Sequence, residues 1–97
     1  MNDSEILLFY SHYHPGSLRA KIVLSKALDK IASSLKLNFR SVDVLNEPQL
    51  CENYCVGGVP TTLIVKNNHI VTRLLGEFDE KEILLLLKQT EKKVRGK

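Results

Sequence analysis

Three groups of residues in this 97-residue chain are of types that can do chemistry. Ser17 follows a Pro-Gly pair at a place where a helix can begin, and a hydroxyl held there can in principle be activated as a nucleophile. The simpler role for it is to cap the helix, since serine leads the N-cap ranking. His12 and His14 form a His-x-His pair that can supply two metal ligands. A zinc site needs a third and a fourth ligand at matched spacing, so two exposed loop histidines are the simpler reading. His14, close to the positive end of a helix, is expected to stay neutral. Cys51 and Cys55 lie one helical turn apart, on one face and at the edge of disulfide distance. Two reduced thiols, one or both partly buried, are the plainer expectation in a reducing compartment, and a zinc ribbon would need a second cysteine pair, which the sequence lacks.

These residues need elements to hold them. Glu5 to Tyr10 is a short apolar run that suits a buried strand. A loop follows, Ser11 to Ser17. Leu24, Leu28, Ile31 and Leu35 then recur at helical spacing, with Ala20, Ala27 and Ala32 beside them, which predicts an amphipathic helix of about five turns. Pro15 or Ser17 marks its start. Leu37 to Leu45 reads as a second strand whose alternation slips near Ser41. Asn46-Glu47-Pro48 is a turn, Pro48 opens a short helix through Tyr54, and Gly57-Gly58 ends it. Val59-Pro60 leads into a β-branched run, Thr61 to Lys66, with proline at the tolerated first position of a strand. Asn67-Asn68 joins it to His69–Leu75 as a hairpin, because asparagine tolerates the left-handed region. Gly76 breaks that strand. Asp79 and Glu82 form a capping box for a last helix. Ile83 to Leu87 is five aliphatic residues in a row, followed by a charged tail expected to fray, Lys88 to Lys97.

Composition sets the outer limits. The chain is 43% hydrophobic with a net charge of +3, enough for one modest core in one domain, 1–97. The positive balance gives some preference for acidic partners and is too mild to argue for nucleic acid. No apolar run is long enough to span a bilayer, and the polar start Met1-Asn2-Asp3-Ser4-Glu5 does not read as a signal peptide. The cytoplasm is the expected location.

The order strand, helix, strand, short helix, strand, strand, helix, with Val-Pro ahead of the third strand, resembles the thioredoxin fold, an α/β architecture with a mixed sheet. The resemblance implies that the Val59-Pro60 bond is cis. Thioredoxins and glutaredoxins carry Cys-x-x-Cys where the first helix starts, since the helix terminus stabilises a thiolate. The matching residues here are His14-Pro15-Gly16-Ser17, so both sulfurs are gone and disulfide exchange at this position is not expected. Glutathione-transferase-like proteins use a serine there, but they carry a second helical domain.

A narrower likeness follows from Pro15-x-Ser17-x-Arg19-Ala20, from Val42-Asp43-Val44-Leu45-x-x-Pro48-Gln49-Leu50-x-Glu52, from Pro60-Thr61 and from Arg73-Leu74-Leu75-Gly76-Glu77. Together they resemble the KaiB family of circadian-clock proteins. That resemblance implies a non-catalytic binding module without a cofactor. Its partner would be a KaiC-type ATPase, with self-association into dimers or tetramers. It also implies a second fold, β-α-β-β-α-α-β, as an alternative; Ile83 to Leu87 could equally serve as a buried strand. By carry-over, Arg19, Asn46, Thr61 and Arg73 would line the partner surface, with Pro60 and Gly76 structural. Asn46 stands where KaiB commonly has a basic residue. Asn67-Asn68 replaces a proline-rich connection, only Arg73 remains of an Arg-Arg pair, and Gly57-Gly58 is more typical of thioredoxins. These departures favour the thioredoxin-like state and a role in stress adaptation. Two alternatives stay open: a residual redox or glutathione-linked role through Ser17 or Cys51 with Cys55, and a sensor domain like that of SasA histidine kinases.

Overall fold

The computed structural model describes residues 4–31 and 37–95. It contains β1 (Ser4–Tyr10), α1 (Pro15–Ile31), β2 (Asn38–Asp43), α2 (Pro48–Asn53), β3 (Thr61–Lys66), β4 (His69–Leu75) and α3 (Glu80–Arg95). This is the thioredoxin-like order, not the alternative one. The sheet runs β2-β1-β3-β4. β1 and β2 are parallel, joined by α1 as a crossover, while β3 is antiparallel to both β1 and β4.

β1 reads as an unbroken apolar run because both of its faces are covered. Ile6 and Leu8 pack with Ala20, Leu24 and Ala27 of α1 and with Ile83 and Leu87 of α3. Leu7 and Phe9 point the other way, into a smaller cluster with Val42, Leu63 and Val65 that α2 flanks through Leu50 and Cys51. The same geometry explains the slip at Ser41. The β1–β2 register is continuous from Glu5↔Asn38 to Tyr10↔Asp43. Leu37 and Phe39 pack on the α1–α3 side, and Val42 and Val44 on the α2 side. The strand does not slip; its apolar residues change face.

Local rules settle most boundaries. Asn67 and Asn68 have φ of 52° and 68° and close a two-residue hairpin with Lys66 opposite His69. A bulge between Ile64 and Val65 on the ladder leaves Val71 unmatched on β4. In the capping box, Asp79 Oδ1 accepts the Glu82 N–H at 2.8 Å and Glu82 Oε1 accepts the Asp79 N–H at 2.9 Å. Within the aliphatic run Ile83 and Leu87 are buried, Leu84 and Leu86 are half-buried, and Leu85 is exposed.

Three expectations need correction. Ser17 is not the cap of α1: the helix begins at Pro15, one of its two expected starts, and Ser17 sits inside the first turn. The segment from Lys88 does not fray at once; α3 continues to Arg95, consistent with the helix propensity of its Lys, Gln, Glu and Arg residues. Gly57-Gly58 does not end α2. That helix stops at Asn53, and Cys55, at φ 57°, makes the left-handed turn. The expected continuation of α1 to Leu35 lies outside the described residues.

Candidate functional site

The first turn of α1 follows directly from its residues. Pro15 takes the first position, where its missing N–H costs nothing. His14 is the cap: its Nδ1 accepts the Ser17 N–H at 2.9 Å, and its carbonyl accepts N–H groups from Ser17 and Leu18 at 3.0 and 3.2 Å. As the acceptor of that bond, Nδ1 must be the unprotonated ring nitrogen. Ser17 is fully buried. Its hydroxyl has the carbonyls of His14 (2.8 Å) and Ser11 (3.1 Å) as acceptors, and it accepts the Ser11 N–H at 3.1 Å. Its proton faces main-chain carbonyls, and no side-chain base among the described residues hydrogen-bonds to it, so this hydroxyl holds the β1–α1 loop.

His12 lies away from His14 in role. Its Nε2 is 3.5 Å from Asp43 Oδ2 and 3.5 Å from the Tyr10 hydroxyl. Asp43 Oδ1 accepts the Leu45 N–H at 3.0 Å, which shapes the β2–α2 loop. The Lys21 ammonium sits 4.5 Å over the Tyr10 ring, an attractive cation–π arrangement. No group of three His, Cys, Asp or Glu side chains among the described residues can hold a metal ion.

β1 and β2 end, β3 begins and β4 ends at the same end of the sheet, as Phe9↔Thr61 and Thr61↔Leu75 require. The Val59-Pro60 bond is cis and Pro60 is buried there. The Pro60 carbonyl accepts the Gly76 N–H at 2.9 Å. Gly76 has φ +90°, a conformation that costs a side-chain-bearing residue energy. Thr61 is buried and its hydroxyl donates to the Gly58 carbonyl at 2.7 Å. Arg73 donates from Nη2 to the Tyr54 carbonyl at 2.7 Å. Thr61, Arg73, Pro60 and Gly76 line one open groove of about 590 Å³. Arg19 and Asn46 do not line it, but both sit at this end of the sheet, Arg19 in the second turn of α1 and Asn46 just after β2. Asn46 Nδ2 donates to Asp43 Oδ2 at 3.3 Å.

Glu77 was not legible as a site residue. Its carboxylate lies against Gly16, where a Cβ would fall 2.6 Å from the Glu77 carboxyl carbon, and it pairs with Arg19 at 3.3 Å. A negative group is thus already in place at the positive end of α1. The exposed apolar side chains Tyr13 (84% exposed), Leu45 (64%) and Leu75 (69%) are at this same end of the sheet.

The two thiols stand apart from α1. Cys51 is half-buried and Cys55 exposed, and both are free. Burial, then the charge of Glu47, pushes the Cys51 thiol above its ordinary value. The Cys55 N–H bonds the Glu52 carbonyl at 3.1 Å and the Val56 N–H bonds the Cys51 carbonyl at 2.8 Å. That is the Schellman pattern, with cysteine in the slot glycine usually fills.

The thioredoxin family model matches residues 3–89. The chain belongs to the thioredoxin family. Solved structures agree on the fold. Thioredoxin-2, a component of the malaria parasite protein secretion machinery, superposes with a TM-score of 0.80 at 17% identity, over 91% of this chain and 84% of that one. A mutant thioredoxin of Halobacterium salinarum gives 0.76 at 23% identity, over 91% and 74%. Deadhead, a germline-specific thioredoxin of Drosophila melanogaster, gives 0.78 at 20% identity, over 91% and 81%. No curated protein sequence matches this thioredoxin-family chain.

Proposed function

We propose that this thioredoxin-family protein is a binding module that grips a partner protein at the sheet end around Pro60 and performs no dithiol exchange at the start of α1. One observation carries the reading. The positions that hold the two sulfurs in redox thioredoxins hold His14 and Ser17, and both are spent on building the loop. A face that keeps its shape while losing its sulfur retains recognition and loses electron transfer. Exposed Tyr13, Leu45 and Leu75 supply apolar contact area there, and Arg19, Asn46 and Arg73 supply polar contacts. The buried Thr61 shapes the groove from below.

For the partner, the likeness of the Asp43–Leu50 block and of Arg73–Glu77 to KaiB favours a KaiC-type ATPase, in the cytoplasm and in stress adaptation. Co-purification of this chain with a KaiC-type ATPase from the same cell supports that partner; no binding to any such ATPase removes it.

A second reading has family membership in its favour: a redox or glutathione-linked role carried by Cys51 and Cys55. Reduction of insulin by the wild-type protein separates the two. No precipitation of insulin above the dithiothreitol background supports the binding module. Catalysed precipitation that is lost in Cys51→Ser supports the redox role.

A further inference from the structure

Among the described residues the groove beside Pro60 is lined by one formal charge, and no described carboxylate pairs with it. Arg73 is the only Lys, Arg, Asp or Glu among the described lining residues. Its guanidinium donates to a neutral acceptor, the Tyr54 carbonyl. Arg19 and Arg40, the other arginines whose side chains are described, face Glu77 and Glu47. No carboxylate among the described residues pairs with Arg73.

The rest of the groove presents main chain and apolar surface. A Cβ at Gly57 or Gly58 would meet nothing within 4 Å, so the space above that backbone is open. The N–H groups of Gly57, Gly58 and Val59 make no hydrogen bond among the described residues. An exposed segment with unpaired donors is suited to pairing with another extended chain. Val59, Pro60 and Leu75 supply apolar walls.

At the α1 side of the same face the polarity is different. The helix terminus and Arg19 both offer positive charge, but Glu77 already occupies that place. An incoming carboxylate is repelled there and attracted at Arg73. The chain as a whole carries a net charge of +3, which adds to attraction of an acidic partner.

We infer that the groove takes an extended segment of a partner protein that carries an aspartate or glutamate side chain on Arg73, with an apolar neighbour against Val59 and Leu75. This rests on the binding face proposed above and adds the chemistry of what it selects.

The test is selection of random nonapeptides displayed on phage against the wild-type protein, Arg73→Gln, Arg73→Lys and Lys88→Gln, with circular dichroism to confirm folding. Wild type is expected to enrich peptides with an acidic residue beside an apolar one. A synthetic peptide of the enriched sequence is expected to bind roughly tenfold more weakly to Arg73→Gln, because a charge-assisted hydrogen bond is lost. Its affinity for wild type falls as salt is raised, and Arg73→Gln flattens that dependence. Arg73→Lys retains the acidic preference in weaker form, which separates charge from the bond to Tyr54. Lys88→Gln, which removes one positive charge from the exposed side of α3 outside the groove, leaves the selection unchanged. Enrichment of neutral or basic peptides overturns the inference while leaving the binding face standing. So does equal binding of the acidic peptide by Arg73→Gln, or its loss in Lys88→Gln. Failure to enrich any peptide overturns both.

Discussion

His14 caps the helix that Ser17 belongs to, with its Nδ1 accepting the Ser17 N–H at 2.9 Å. The two residues that replace a cysteine pair are thereby bonded to each other. On the proposed reading, the exchange of side chains leaves the first turn of α1 intact and removes its dithiol chemistry. If so, restoring sulfur should restore chemistry. The double variant His14→Cys/Ser17→Cys is expected to reduce insulin catalytically, with the thiolate at residue 14 favoured by the helix terminus. The single variant His14→Cys is expected to trap a mixed disulfide without turnover, since no second thiol resolves it. Equal activity in wild type and the double variant would contradict the role assigned to these positions.

The capping box of α3 stabilises the helix that brings Ile83 and Leu87 to the core. Asp79→Ala removes the side-chain acceptor for the Glu82 N–H and is expected to cost about 1 kcal/mol. Urea unfolding should show a lower midpoint at unchanged slope.

Cys55 fills a left-handed position at φ 57° with its side chain exposed. A glycine there relieves a backbone cost of roughly 1–2 kcal/mol and gives up no packing, although it also gains entropy in the unfolded chain. Cys55→Gly is therefore expected to stabilise by about 1 kcal/mol. Thermal unfolding should then rise by roughly 4–8 °C, as for a domain of this size.

Cys51 has a thiol raised from its ordinary value of 9.0 by burial first and by Glu47 second. Less of it is thiolate near neutrality, so iodoacetamide should label the exposed Cys55 before Cys51. Glu47→Gln removes the repelling charge and should speed labelling of Cys51. The sign for stability follows from linkage. Above the ordinary thiol value the unfolded chain has released this proton while the folded chain still binds it, so stability falls as pH rises through that window. Cys51→Ala should show a shallower loss of stability above pH 9.0 than wild type.

Much of the fold is legible in the sequence because its signals are local. The Asn67-Asn68 turn, the Asp79–Glu82 box and the β-branched run after Pro60 each act within a few consecutive residues. The slip at Ser41 misleads because alternation assumes one wet face, and β2 has apolar residues on both. Ser17 is the expected cap because serine usually fills that role; the imidazole of His14 takes the same N–H instead. Glu77 is hidden for a different reason. It meets Arg19 across a separation of 58 residues, and only the β4–α3 connection brings it there. The placement of Arg19, Asn46 and Arg73 at one end of the sheet likewise depends on the parallel pairing of β1 with β2 and the antiparallel placement of β3 and β4, which no short motif encodes.

The central claim is that the sheet end around Pro60 is a protein-binding face. Photo-cross-linking from benzoylphenylalanine placed singly at Tyr13, Leu45, Leu75 and Ile70 in the native cell tests it most directly. Ile70 is the control, since it is exposed at the hairpin end of β4. The account predicts one common partner band from positions 13, 45 and 75 and none from position 70. A band from position 70 alone, or none from the other three, would contradict it.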